Sequence, residues 1–346
     1  MNGKRVATII CWCISALVLL GFAAWLLIAS PIGDGSFGII NFGRTTVNGL
    51  SIENLRGPFE VVGSQRIAKD SIDSFDINWI TGEVTVLPHD GNEIIITESA
   101  QRTLSENEVM SVETSNNTVT INFIERRAGI RRMPTKRLEV LIPAELAQNL
   151  DSFVIDSTSA ALNVSDISAT EFNLGGVSGR QTISSVHAQA IRVGSTSGAI
   201  DLTDSAADSI WANTVSGAIS LRRAVADTAT IRTTSGALYL SDTLAGTLTT
   251  SSVSGAHSLS GAFVVADLST TSGRLAFTSS IVPDSFSASS ISGAVTITIP
   301  DDGVITVSHT SVSGRLTSEL PVIMQSVGAQ FRISTTSGAV NINELR

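Results

Sequence analysis

The sequence predicts an all-β protein: a right-handed parallel β-helix, or β-solenoid, of about 19-residue coils, with an N-terminal β cap and one N-terminal transmembrane helix. Three observations predict it. A Ser-Gly dipeptide returns at an interval of about 19 residues through the second half of the chain, the mark of a stacked repeat. Apolar residues alternate at period two on either side of it, and residues 6–29, "VATIICWCISALVLLGFAAWLLIA", carry no charge.

Composition agrees with a strand-rich fold. Hydrophobic residues are 42% of the 346, enough to bury a core, while 5% are aromatic and Gly, Ser and Thr abound, as short strands and tight corners require. A net charge of -9 argues against nucleic acid as a partner, because phosphate contacts need a concentrated basic face. Cys11 and Cys13 are too close to close a useful loop, and the cysteine-free remainder suits an oxidising compartment.

In chain order, residues 1–5 form a short cytoplasmic tail holding Lys4 and Arg5, and 6–29 are long enough to cross roughly 30 Å of hydrocarbon as a helix. No Lys or Arg follows until Arg44, so the positive-inside rule places the N-terminus inside and the bulk of the chain on the extracytoplasmic face of the cell membrane. Leu27, Ile28 and Ala29 lead into Ser30-Pro31 without the small-residue pattern of a cleavage site, which favours a retained anchor. Residues 30–50, with five glycines, read as a flexible linker. Residues 51–150 hold a first solenoid unit and a β-rich cap. The unit is "FDINWITGEVTV" at 75–86, and strands are expected around 93–98, 109–114, 118–124 and 137–142 with a short helix near 103–108.

Residues 151–346 are the Ser-Gly solenoid. Its corners are Ser178-Gly179, Ser197-Gly198, Ser216-Gly217, Ser235-Gly236, Ser254-Gly255, Ser272-Gly273, Ser292-Gly293, Ser313-Gly314 and Ser337-Gly338, after a degenerate Ser159-Ala160. Counted from Ser159, the successive intervals run 19, 19, 19, 19, 19, 18, 20, 21 and 24. Six residues before each serine stand Phe153, Phe172, Ile191, Ile210 and their successors; four before stand Ile155, Leu174, Val193 and Ala212; three and five after stand pairs such as Ile200 and Leu202. Two alternating strands joined at a corner make about one coil.

The corner residues have physical reasons. Glycine tolerates positive φ and the close approach of the coil above. Two residues before each marker a column of small hydroxyls, Ser195, Thr214, Thr233 and Ser252 among them, is placed to satisfy backbone groups at the bend. Asp166, Asp204 and Asp242 read as turn residues at the far end of the second strand. The residue before the marker alternates as Thr158, Val177, Thr196, Val215, Thr234, Val253, Thr271, Ile291, which leaves a 38-residue coil open beside the 19-residue one. The small interior side chains favour the shorter coil. The chain ends in "SGAVNINELR", so Glu344 and Arg346 are expected to protect the free edge.

A T-G-x-V-x-V unit, the strand "RLEVLIP" at 137–143 and a ladder of [TV]-S-G-[AR]-[IVL] units resemble the bacterial putative-adhesin family of β-strand repeat proteins, LiaG-like, over roughly residues 50–346. The resemblance implies a β-solenoid on the cell surface with adhesion inferred, and brings no catalytic residues with it.

Chemistry finds little purchase. Gly176-Val177-Ser178-Gly179-Arg180 lacks the final glycine of a nucleophile elbow and the helix that should follow it. A glycan lyase or hydrolase needs convergent carboxylates, yet four residues after the marker only Asp201 is acidic. His257 and His309 fall in apolar columns and read as hydrogen-bonded core residues, with pH sensing as the sharper alternative. No cofactor or metal site is expected. The exception is "RRAGIRRMPTKR", in which Arg126, Arg127, Arg131, Arg132, Lys136 and Arg137 form a candidate site for an anionic partner, against the plainer reading of a solvated loop. The expectation is a non-catalytic adhesion or binding scaffold, whose partner beyond the membrane is a cell-wall or surface polymer or an envelope protein. The alternatives are a regulatory or assembly module of an envelope-stress system and, third, a surface glycan-processing enzyme.

Overall fold

A computed structural model describes residues 45–47, 50–52, 58–124, 134–302, 305–323 and 328–346. The expected tail at 1–5 and membrane segment at 6–29 lie outside them, and no helix among the described residues is long and apolar enough to cross a membrane. The chain divides into two units, Met1–Glu53 and Asn54–Arg346. In the first, Thr45–Val47 pairs antiparallel with Leu50–Ile52, so part of the expected linker carries strand pairing.

The second unit is a parallel β-solenoid. Each coil, named here by its marker serine, has a long strand such as Ser168–Gly176, His187–Ser195 or Ala206–Thr214 and a short strand such as Gln181–Ser184, Ile200–Thr203 or Ile219–Arg222. Phe172 pairs with Ile191, Ile191 with Ile210 and Ile210 with Ala229, so each partner stands one marker interval further along the chain. The coil is therefore the single interval, and the doubled one is excluded. The expected inward columns are buried: Phe153, Phe172, Ile191 and Ile210 in one, Ile155, Leu174, Val193 and Ala212 in the next, and Ile200, Leu202, Ile219 and Leu221 on the short strands.

The coils from Ser159 to Ser235 each turn three times, one more than two strands and two bends allow. At the Ser-Gly corner the column hydroxyl accepts the glycine N–H: Gly198 to Ser195 Oγ at 2.8 Å, Gly217 to Thr214 Oγ1 at 3.0 Å, Gly236 to Thr233 Oγ1 at 2.9 Å and Gly273 to Thr270 Oγ1 at 3.0 Å. At the far end of the short strand Asp166, Ser185, Asp204, Arg223 and Asp242 all take φ between 50° and 57°, a left-handed bend that suits Asp. The third turn lies inside the long strand. Ala169 and Phe172 are both buried although three residues apart, so the alternation breaks at Thr170 and Glu171, and the pairing skips Thr170 in the same place.

The corner glycines are needed for a different reason from the one their conformational freedom suggests. Among the described glycines only Gly82 and Gly328 have positive φ, so none of the Ser-Gly corners does. What excludes a side chain is stacking: a Cβ on Gly198 would overlap the carbonyl oxygen of Gly179, one on Gly217 that of Gly198, and one on Gly236 that of Gly217. With coils about 4.8 Å apart, nothing larger than hydrogen fits.

Coil order in space departs from coil order in sequence at both ends. At the C-terminal end, Ser285–Ser290 pairs with Ala329–Thr335, and Ala329–Thr335 pairs on its other side with Ile305–Ser311. The Ser337 coil is thus inserted between the Ser292 and Ser313 coils. Phe286 stacks on Phe331 across this joint, centroids 5.1 Å apart. The expectation that Glu344 and Arg346 guard the edge is overturned, because Val340–Glu344 is flanked by Val295–Ile299 and Leu316–Ser318. At the other end Ser74–His89 pairs with Leu150–Ser165, bringing Ser74 into register with the distant Ser152 and Phe75 against Phe153. Its outer side pairs with Thr118–Asn122 and Lys136–Pro143. Antiparallel strands close this end: Glu93–Ala100 on Lys136–Pro143, Glu60–Ala68 on Glu93–Ala100, and Ser111–Ser115 on Thr118–Asn122. The expected cap strands and a short 3-10 turn at Glu106–Glu108 are present.

Gly236→Ala should destabilise the solenoid by about 3 kcal/mol or more, since two backbones must separate to admit one methyl. Ser235→Ala removes an exposed hydroxyl that donates to Val215 O at 3.4 Å and should cost less than about 1 kcal/mol. Thermal denaturation separates the two, and a tolerated alanine at 236 would contradict the stacking constraint.

Candidate interaction surface

Arg126, Arg127, Arg131 and Arg132 lie outside the described residues. Lys136 and Arg137 are described, and the strand they begin separates them. Along Lys136–Pro143 residues 136, 138, 140 and 142 point inward, so Lys136 is fully buried and leaves the candidate set. Its Nζ lies 2.8 Å from Glu98 Oε1, donates to Ile124 O at 3.1 Å and to Glu108 O, and sits 4.1 Å from the Phe123 ring centroid. Burial lowers the Lys136 pKa, against which the Glu98 carboxylate raises it. Glu98 is itself buried, at the inward parity of Glu93–Ala100, and accepts the Met110 N–H at 2.8 Å. A buried cation so partnered costs more to unpair than it offers any ligand. Arg137 points outward, 3.1 Å from Glu83 Oε2 and with its guanidinium 4.0 Å from the Phe59 ring centroid.

The corner serines are engaged in hydrogen bonds between coils. Ser197 Oγ donates to Val177 O at 3.1 Å, Ser272 Oγ to Val253 O at 3.3 Å and Ser159 Oγ to Ile80 O at 3.1 Å, each binding its coil to the neighbouring one. Asp201, the lone acid of its column, is ion-paired with Arg180 of the adjacent coil. Among the described residues no group of His, Cys, Asp and Glu is placed to hold a metal ion.

His257 is a core histidine: buried, with Nδ1 3.1 Å from Thr250 Oγ1 and Nε2 2.7 Å from Ser252 Oγ. His309, in the outermost coil, is half-buried, with Nε2 3.5 Å from Thr335 Oγ1.

The outward side of the corner carries the most regular surface. The serine markers and the residues preceding them are exposed along the ladder. In spatial order the preceding residues are Ile80, Thr158, Val177, Thr196, Val215, Thr234, Val253, Thr271, Ile291, Thr336 and Val312. Aliphatic and threonine alternate without a break. In sequence order Ile291 is followed by Val312 and only then by Thr336, so the alternation fails; the inserted Ser337 coil restores it. Val177, Val215, Val253 and Ile291 are 48–54% exposed and Val312 is 84% exposed, so these methyl groups are presented to solvent. They recur every two coils, roughly 9.6 Å.

These stacked, in-register coils have a family counterpart. A profile described as Toastrack DUF4097 matches residues 71–343. The chain belongs to the Toastrack DUF4097 family. The match reaches the Toastrack family, a domain of unknown function, and does not distinguish LiaG-like members. No curated protein matches the chain. Among solved structures, this Toastrack protein is similar to one described as a putative lipid binding protein from Parabacteroides distasonis, 14% identical with a TM-score of 0.47, covering 82% of this chain and 96% of the other. It is similar also to putative adhesins from Parabacteroides distasonis (11% identity, TM-score 0.45, 82% of this chain and 97% of the other) and Parabacteroides merdae (13%, 0.43, 84% and 98%).

Burial holds the His257 pKa at about 4, below the value near 6.5 of an exposed imidazole. As pH falls the unfolded chain therefore takes up a proton before the folded one, so stability is full above about pH 6.5 and declines between there and about pH 4. At pH 5 the loss from this group is about 2 kcal/mol. Melting curves at pH 7 and pH 5 should show a smaller drop for His257→Gln than for the wild type; equal drops would contradict the assignment.

Proposed function

We propose that this Toastrack protein is an extracytoplasmic, membrane-anchored β-solenoid that acts as a non-catalytic scaffold for binding a surface polymer. The unbroken alternation of aliphatic and threonine side chains along the corner edge carries this reading. From Thr158 onward interior packing does not require it, because these side chains are exposed, whereas Ile80 packs partly against the core. A hydroxyl and a methyl surface in strict succession suit a partner that repeats along the solenoid axis, and a contact repeated over many coils gains strength by multivalency. The uncharged stretch at 6–29, flanked by Lys4 and Arg5, supports anchoring with the solenoid outside. The hydrogen-bonded corner serines and the ion-paired Asp201 support a role without catalysis.

The full chain in nanodiscs should bind at least one of purified wall glycans, anionic lipid vesicles and envelope extracts. Val215→Ser with Val253→Ser should weaken that binding severalfold while the melting temperature stays within a few degrees. Changing Arg126, Arg127, Arg131 and Arg132 to Ser tests the basic segment separately, and a loss confined to anionic lipid would assign it to the membrane surface. Binding to none of the three would overturn the scaffold reading.

A further inference from the structure

We propose that a depression beside Trp211 is a subsite for a pyranose ring of a neutral β-1,4-linked glycan. The proposal rests on the scaffold reading and names its ligand class. Trp79 is fully buried, whereas Trp211 is 44% exposed on the outward face of Ala206–Thr214. It stands in register between Arg192 and Thr230 of the neighbouring coils. Two positions further along the strands, Gly175 and Gly194 carry no side chain, and a shallow depression of about 250 Å³ forms between these glycines and the indole.

The rim of this depression is polar and uncommitted. The side chains of Asn173, Asn213 and Asp156 make no hydrogen bond or ion pair to the described residues, and Arg192 has only a loose contact, 3.6 Å, with Glu171. Asp156 Oδ1 leans over Gly175 and Asn213 Oδ1 over Gly194, so two acceptors overhang the glycine floor. The carboxamides offer both donors and acceptors, Asp156 acceptors and Arg192 donors, the mixture that vicinal sugar hydroxyls require. One cation and one carboxylate leave the rim near neutrality, which disfavours an anionic headgroup. An exposed indole beside a flat floor suits a pyranose with equatorial substituents, whose axial C–H bonds present a weakly positive face to the negative face of the ring. Val215 continues the same outward row two residues beyond Asn213, so further rings can follow the corner edge from this anchor.

The test uses the full chain in detergent micelles with two probes, the hexamer of β-1,4-linked N-acetylglucosamine and cellohexaose, titrated by calorimetry. One of them should bind, Trp211→Ala should weaken it at least about tenfold, and Trp211→Phe should retain part of the affinity. Gly194→Ala puts a methyl on the floor while keeping the indole, its Cβ meeting only the Asn213 amide, and should also weaken binding severalfold. Tyr239→Ala removes an exposed aromatic from the short-strand face and should leave affinity within about twofold. Equal melting temperatures confirm that the variants fold. The proposal fails if neither hexamer binds, if Trp211→Ala stays within about twofold of wild type, or if Tyr239→Ala loses as much. A chain that binds wall glycans or envelope extracts but neither hexamer keeps the scaffold reading and loses this subsite; a chain that binds nothing loses both.

Discussion

Everything in this molecule depends on two backbones passing at the Ser-Gly corner with only a hydrogen atom between them. Gly217 sits over the carbonyl of Gly198, and Gly236 over that of Gly217, so the coils cannot slip past one another. The glycine N–H is then turned inward, where the Thr or Ser two residues before the marker accepts it. This leaves few buried polar groups unpaired at a bend that would otherwise have many. With the register fixed there, the period-two pattern does the rest, placing Phe, Ile and Leu inside and leaving Ser, Thr and charged residues outside.

The same constraint permits the chain to be laid down out of order. Because every coil presents the same corner, the Ser337 coil fits against the Ser292 coil as well as the Ser313 coil would. The Phe286–Phe331 contact distinguishes the two, since the Ser313 coil offers only Val307 at that position. At the N-terminal end Phe75 against Phe153 marks a corresponding joint. Both joints bring the first and last coils in sequence one layer inward, so that each is paired on two sides and fraying from either must break two interfaces.

Much of this was legible in the sequence, and the parts that were not have physical causes. The marker spacing and the inward columns required only counting, and the hydroxyl column required only the inventory of corner donors. Lys136 was readable too: "KRLEVLIP" puts it on the same parity as Leu138 and Val140, so the strand's alternation, and not the local density of charge, fixes its direction. Glycine's positive φ was the wrong reason for the right residue, because the need for glycine comes from the neighbouring coil and not from its own turn. The third turn was hidden because its residues, Thr170, Gln189 and Asp208, share no side-chain type. Coil order was hidden because repeats that stack interchangeably carry little information about which neighbour each one takes. Two traces of it were present, the lengthened intervals that lead to Ser313 and Ser337 and the break in the alternation between Ile291 and Val312.

Cross-linking measures coil order directly. With Cys11 and Cys13 changed to Ser, Ser289→Cys combined with Ser334→Cys places two thiols on adjacent, paired strands, whereas Ser289→Cys combined with Thr310→Cys separates them by two coils, roughly 9.6 Å and beyond disulfide reach. Mild oxidation of the folded chain should link 289 to 334 and leave 289 and 310 free. A disulfide between 289 and 310, with none between 289 and 334, would mean that the coils follow sequence order and that the alternating edge is not continuous.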